Sequence, residues 1–376
     1  MLPELLNKCS IKSLILGCLI LTALSLSAQK NDTIRKYLDD KLQFTSKAKS
    51  SYLAMGIKQT DSWLLFAVYP DASMLLKAYY KDKNFSIKNG SYLLFHGKNV
   101  KAMEGSYVSN VPQGLWRYWH SNGQLKDSGL LIDNVMCGLW QSWSPTGKLL
   151  ISLNYAKEPS GKTANPAPKK STTILPEISP YPGEREGLGI TYHLNGQMQD
   201  SGMYKADSKT GLWKTWYANG TLSSEGNYQL DSITGNWTFY RENGNKSTEE
   251  TYRNGKLQSM TCYDSSGNKE GNYCSILKPP FPLGPFDNFS DYVLDNVFWP
   301  KGLLNSNIQG KVKVEYVITK NGDLTNFKIV ESPHQLFSDE VTRFFSTIEK
   351  WSPAISHNRV IDFPMQFEVP FYRQSQ

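Results

Sequence analysis

A period of 24 residues runs through the middle of this chain and limits its possible folds more than any other feature. Gly114-Leu115-Trp116 is followed by Trp119, Asn122-Gly123, Leu125 and Gly129. The same order returns at Gly138-Leu139-Trp140, Trp143, Gly147 and Leu149. Further copies start at Gly187, Gly211 and Gly235, and an upstream copy at Gly90 carries Tyr92, Phe95, Gly105 and Tyr107. The copy at Gly235 runs through Trp237, Tyr240 and Asn243-Gly244 to Tyr252 but lacks the second glycine. Tyr263 and Gly267 are the worn remains of a last copy. The interval from Gly138 to Gly187 is one period plus an insertion.

The spacing predicts a β-hairpin per copy. A glycine behind Asn or Thr falls nine residues after each leading glycine except Gly90, where Asn99 takes the turn position, with apolar residues on both sides, and Asn and Gly tolerate the positive φ of hairpin turns. Side chains alternate across a strand, so Trp116 and Trp119 cover opposite faces. A lone hairpin is marginal in water, whereas stacked hairpins bury one another's faces. Seven of the ten Trp lie at repeat positions (116, 119, 140, 143, 213, 216 and 237). They read first as core, with an aromatic groove for a glycan or peptide as the alternative. The frame resembles the MORN repeat variant of YwqK-like proteins over residues 88–275. That resemblance implies a scaffold or binding surface rather than chemistry.

Around the repeats the chain divides by composition. Residues 29–87 lack the full frame, and Trp63 to Tyr80 reads as strand, turn and strand, predicting an N-terminal β cap. The first repeat group spans 88–155 and the second 187–277. Between them, residues 156–186 hold Pro159, Pro166, Pro168, Pro176, Pro180 and Pro182 and predict an extended insertion. A second proline-rich joint at 278–289 predicts a linker, and a new domain follows over 290–376.

At the N-terminus, Lys8 and Lys12 precede an apolar stretch from Ser13 to Ala28, after which the chain turns polar. This predicts a cleaved signal peptide at 1–28 and an oxidising, periplasmic destination. The stretch is shorter than the ~20 residues that a spanning helix needs. Cleavage would leave Cys137, Cys262 and Cys274, of which Cys262 and Cys274 can form one bridge. No Cys-x-x-Cys or His-x-x-x-His spacing exists, so no metal or other cofactor is expected. The net charge of +7 is thinly spread, which argues against a nucleic-acid partner. Catalysis finds no support either. The paired acids Asp39-Asp40 and Glu249-Glu250 are adjacent, and neighbours on a strand point to opposite faces and cannot flank one bond.

The C-terminal segment follows different rules. Ser290 to Phe298 is a short amphipathic stretch ended by Pro300. Val312, Val314, Tyr316 and Ile318 alternate with Lys311, Lys313 and Glu315, predicting a strand with one buried face. Asn321-Gly322 turns the chain, and Leu324, Phe327 and Ile329 return it. From Gln335 to Lys350, Phe337, Val341, Phe344, Phe345 and Ile348 recur at helical spacing. Val360 to Phe371 predicts a last strand. The overall fold class is therefore mainly β: stacked β-hairpin repeats, then a small α+β domain.

The order and the residues Trp299-Pro300, Gln309-Gly310, Asn321-Gly322-Asp323, Trp351-x-Pro353-Ala354 and Pro370 resemble the TonB C-terminal domain over about 290–372. That resemblance implies a protein partner, an outer-membrane receptor or a periplasmic protein, whose extended segment adds as a strand to an edge. It assigns partner contact to Trp299, Pro300, Gln309 and Gly310, and to an accepting strand with Val360, Ile361, Asp362, Phe363, Met365, Gln366 and Phe367. Core packing is the competing role for Trp299 and Phe367, and Pro364 removes one main-chain donor from that strand. The expected function is a non-enzymatic cell-envelope protein that binds by strand addition. The alternative is an inner-membrane energy transducer, which requires residues 13–28 to remain as an anchor; family transducers carry a histidine there, and this segment has none.

Overall fold

A computed structural model of the chain describes residues 32–159, 182–271, 274, 276–284 and 288–373. The expected signal peptide, and most of the proline-rich insertion, lie outside these residues. The chain divides into two compact units. One runs to Gly220 and includes Tyr228–Ser232; the other holds Thr221–Asn227 and everything from Ile233 onward.

In the first unit each strand pairs antiparallel with its neighbours in sequence. Thr33–Leu38, Tyr52–Lys58, Trp63–Val68 and Met74–Tyr80 precede the repeats and lead directly into Lys88–Gly97. The repeat strands continue with Val100–Val108, Val111–Trp119, Leu125–Ile132, Val135–Trp143 and Leu149–Tyr155. Arg185–Tyr192 pairs with Leu149–Tyr155 across the insertion, so the insertion leaves the meander unbroken.

The frame's two glycines do different work. Trp116 lies flat on Gly105, where a Cβ would sit 2.2 Å from the indole; at Gly129 it would sit 2.1 Å from Trp140. Gly202 under Trp213 and Gly226 under Trp237 repeat the arrangement. The bare backbone lets each indole cover the preceding strand, and these four Trp are 1–6% exposed. The leading glycines Gly114, Gly138, Gly211 and Gly235 face open space; at Gly114 the requirement is its φ of +78°, a region costly for any residue with a Cβ. Trp119, Trp143 and Trp216 sit half-buried on the opposite face.

Several periods contain a second turn with no glycine. Asp133 and Asn134 have φ of +52° and +64°, and Ala206-Asp207 and Leu230-Asp231 repeat this pair of left-handed residues. The Asx side chains reach back 22 residues. Asn110 accepts from the Lys88 amide at 2.7 Å, Asp207 from Arg185 at 2.9 Å and Asp231 from Lys209 at 2.8 Å. At the other end of the hairpins, Nε2 of His96, His120 and His193 donates to the carbonyls of Trp119, Trp143 and Trp216. Three histidines that look isolated in sequence thus make one repeated link.

The second unit carries the last hairpins, Ser232–Tyr240, Lys246–Arg253, Lys256–Tyr263 and Lys269–Gly271. Cys262 and Cys274 form a disulfide, and Cys137 of the first unit is a buried free thiol. Helix α1 (Phe289–Asn296) and helix α2 (Gln335–Ser346) cover a three-stranded antiparallel sheet in the order Leu324–Glu331, Gly310–Ile318, Phe363–Phe371. Val312, Val314, Tyr316 and Ile318 bury the predicted face against Phe337, Val341, Phe344 and Phe345. The helix ends at Ser346 rather than Lys350 because Trp351–Ser352 is drawn into pairing with Phe281–Pro282. Leu277–Lys278 likewise pairs with Ala354–Ser356. The stretch read as a linker therefore supplies two short strands. The last strand also differs: Arg359–Ile361 pairs with Ala354–Ser356, and a separate strand starts at Phe363. The break falls at Asp362, whose carboxylate accepts from the Lys320 amide at 2.6 Å.

Candidate partner-binding edge

Phe363–Phe371 matches Gly310–Ile318 residue for residue, from Gly310 opposite Phe371 to Ile318 opposite Phe363, with no bulge. Among the described residues no strand pairs on its other side. Its side chains alternate. Val369 and Phe371 are buried and Phe363, Met365 and Phe367 half-buried, whereas Pro364, Gln366, Glu368 and Pro370 are exposed. On the exposed face Lys311 bonds Glu368 at 2.7 Å, and Gln366 donates to Glu315 at 2.8 Å beside Lys328. The Lys311 ammonium holds the Glu368 carboxyl below the usual carboxylate range, and Lys328 does the same for Glu315. These pairs are open to water, so they orient side chains more than they stabilise the fold.

The residues assigned from the resemblance fall into three places. Trp299, Pro300, Gln309 and Gly310 gather at the Phe371 end. The Trp299 ring packs edge-on against Phe337 at 5.3 Å and Phe371 at 6.2 Å, its Nε1 donates to the Leu303 carbonyl, and Arg373 lies over it at 5.3 Å. Pro300 starts the short 3-10 turn Lys301–Leu303. Gln309 is exposed and accepts from the Arg373 amide at 3.0 Å. A Cβ on Gly310 would meet Pro333 at 3.2 Å. Phe363, Met365, Gln366 and Phe367 lie on the edge strand, and Phe367 packs on Phe289 at 5.2 Å. Asp362 stands at its start. Val360 and Ile361 belong to the neighbouring hairpin and not to this edge.

A second cluster in the same unit was not foreseen from the sequence. Glu250, 2% exposed, takes hydrogen bonds from Thr248, Tyr252 and His357. Burial alone would raise its pKa, but the His357, Tyr252 and Thr248 donors outweigh that and hold it below the usual range. Its neighbour Glu249 faces the other way, accepting from Tyr263 at 2.6 Å, so this acid pair cannot flank one bond. The one sequence signal for the cluster is that Glu250 occupies the frame's second-glycine position. Among the described residues no group of His, Cys, Asp or Glu could hold a metal ion, and no helix is long and apolar enough to cross a membrane.

Residues 295–372 match the family model for the Gram-negative bacterial TonB protein C-terminal region. Residues 112–130, 136–157, 209–230 and 233–254 match the model for the MORN repeat variant. A comparison with curated proteins found no match for the chain. The order of elements, the Trp-on-glycine hairpins and the two model matches agree: this chain joins an array of MORN-variant repeats to a C-terminal module of the TonB type.

Proposed function

We propose that this is a non-enzymatic protein of the cell envelope, exported to the periplasm, whose C-terminal module captures an extended segment of a protein partner along Phe363–Phe371. The observation that carries the reading is the edge itself: a nine-residue strand, in full register on one side and unpaired on the other among the described residues. Its prolines define how much of the edge can work. Pro364 and Pro370 interrupt no pairing with Val317 and Lys311, and a proline costs least where its missing N–H would point away from the ladder. Alternate residues share that direction, so Gln366 and Glu368 are the outward donors between two blunted ends. A partner strand then gains affinity from main-chain bonds centred on these two residues and selectivity from the side-chain rows beside them.

The test is photo-crosslinking in the native envelope with a reactive residue at position 366 or 368, and at Thr325 on the opposite edge as control. A discrete adduct from each position is expected, and the adduct from 368 should disappear when Gln366→Pro is introduced into that chain. Equal labelling from position 325, or an adduct untouched by Gln366→Pro, would overturn the reading.

A further inference from the structure

The last full repeat departs from the frame at one position, and the C-terminal module fills the departure. Elsewhere the second glycine carries the indole of the next copy, as Gly226 carries Trp237. At Glu250 there is no glycine, and the facing residue on the next strand is Met260. A ring nevertheless arrives from 107 residues away: His357 donates through Nδ1 to Glu250 at 2.8 Å. Its imidazole stacks on Phe239 with centroids 3.7 Å apart and planes 9° from parallel.

His357 and Asn358, both left-handed at φ of +49° and +57°, form the tip of the hairpin Ala354–Ser356 with Arg359–Ile361. The whole tip is seated. The His357 amide donates to Ile276 at 2.7 Å, Asn358 donates to the Tyr263 carbonyl at 3.0 Å, and Arg241 donates to the Asn358 carbonyl at 3.0 Å. Arg359 donates to the Ser223 carbonyl at 3.0 Å and the Tyr240 carbonyl at 3.1 Å, with its guanidinium 5.2 Å above Phe239. Two residues after this hairpin the unpaired edge begins. Asp362 between them is tied to the Lys320 amide, and the Lys320 ammonium bonds Glu242 of the repeats at 2.9 Å.

We propose that His357 and Arg359 are positioning residues for the partner-binding edge. Seated in a socket keyed by Glu250, they fix where Phe363–Phe371 starts, which makes the last repeats part of the apparatus that presents this edge. The inference rests on the reading of that strand as the docking edge. The physical reason is pre-organisation: an edge strand must be ordered before a partner adds to it, and a strand held at its start loses less backbone entropy on binding.

The experiment is hydrogen exchange of the mature full-length protein against its Glu250→Gly and His357→Ala variants, without any partner. Glu250→Gly restores the repeat frame and empties the socket of its acceptor. The paired amides from Ser356 to Met365, Phe363 and Met365 among them, should exchange about tenfold faster or more in both variants, as a local opening, with helix α2 unchanged. His357→Asn, which keeps a donor near the Nδ1 position, should recover part of the protection. Unchanged exchange at Phe363 and Met365 would overturn the proposal, and so would an equal rise in α2, since that marks a merely structural role. Failure of the crosslinking with success here would refute the docking reading alone.

Discussion

Gly129 and Gly114 belong to the same repeat yet are glycines for different reasons, and alanine separates them. At Gly129 the added methyl would stand 2.1 Å from the Trp140 indole, so a buried ring must leave its place, at a cost of roughly 3 kcal/mol. At Gly114 nothing is within 4 Å and only the φ of +78° is strained, so the cost is about 1–2 kcal/mol. Urea unfolding followed by tryptophan fluorescence should rank Gly129→Ala as the more damaging; equal losses would contradict the packing account. Glu250 sets a pH dependence. Its folded pKa lies below the carboxylate value of 4.5, so the fold favours the anion. That stabilisation is present above the unfolded pKa and is lost as pH falls through the lower folded one. Wild type should lose stability on acidification more steeply than Glu250→Gln across that window, and parallel curves would show the carboxylate to be uninvolved. Both glycine positions were legible in the period. The meaning of Glu250 was not, because its partner His357 is 107 residues distant and no local spacing connects them.

The hairpins show how far local patterning reaches. Asn-Gly turns and apolar alternation suffice to place the repeat strands, because both act within a few residues. The glycine-free second turns carry a weaker sequence signal: Ser109-Asn110, Asp133-Asn134, Ala206-Asp207 and Leu230-Asp231 share only the final Asx. At Asn110, Asp207 and Asp231 that Asx is selected by the backbone amide of the neighbouring hairpin, a contact absent until the hairpins stack. The sequence alone predicts one continuous last strand over 360–371 for a similar reason. Its apolar alternation runs through Asp362, and only the Lys320 amide divides it. The Cys262–Cys274 link belongs here as well. It closes a short loop, with a separation of 12 residues, behind the strand that faces Glu250. Replacing both cysteines by serine should lower stability by roughly 3 kcal/mol. The loss should centre on Lys256–Tyr263 in hydrogen exchange, and unaltered protection there would show the bond to be dispensable.

For the whole molecule, the remaining expectation concerns destination. The periplasmic reading requires cleavage near Ala28, and intact-mass measurement of the natively expressed chain should give a protein starting at Ala28 or Gln29. Carbonate extraction should release it from membranes. An intact Met1 held in the inner-membrane pellet would replace the adaptor by the anchored transducer. The boundary between the compact units also belongs to this level. Composition places a joint at 278–289, but the contacts group everything after Ile233 with the C-terminal module. Leu277–Lys278 and Phe281–Pro282 are strands of that body, so truncation at the proline-rich joint would cut through it.

What the sequence determined by itself was the type and order of elements: hairpins from a 24-residue period, a capped array, a small α+β module and its Trp, Gly and Pro landmarks. Each of these depends on contacts within one turn, one strand or one adjacent copy. Tertiary structure alone decided which strand is an edge, where that edge begins, and that a degenerate repeat receives His357. Those outcomes depend on surfaces meeting across a hundred residues, where sequence distance carries no information about geometry.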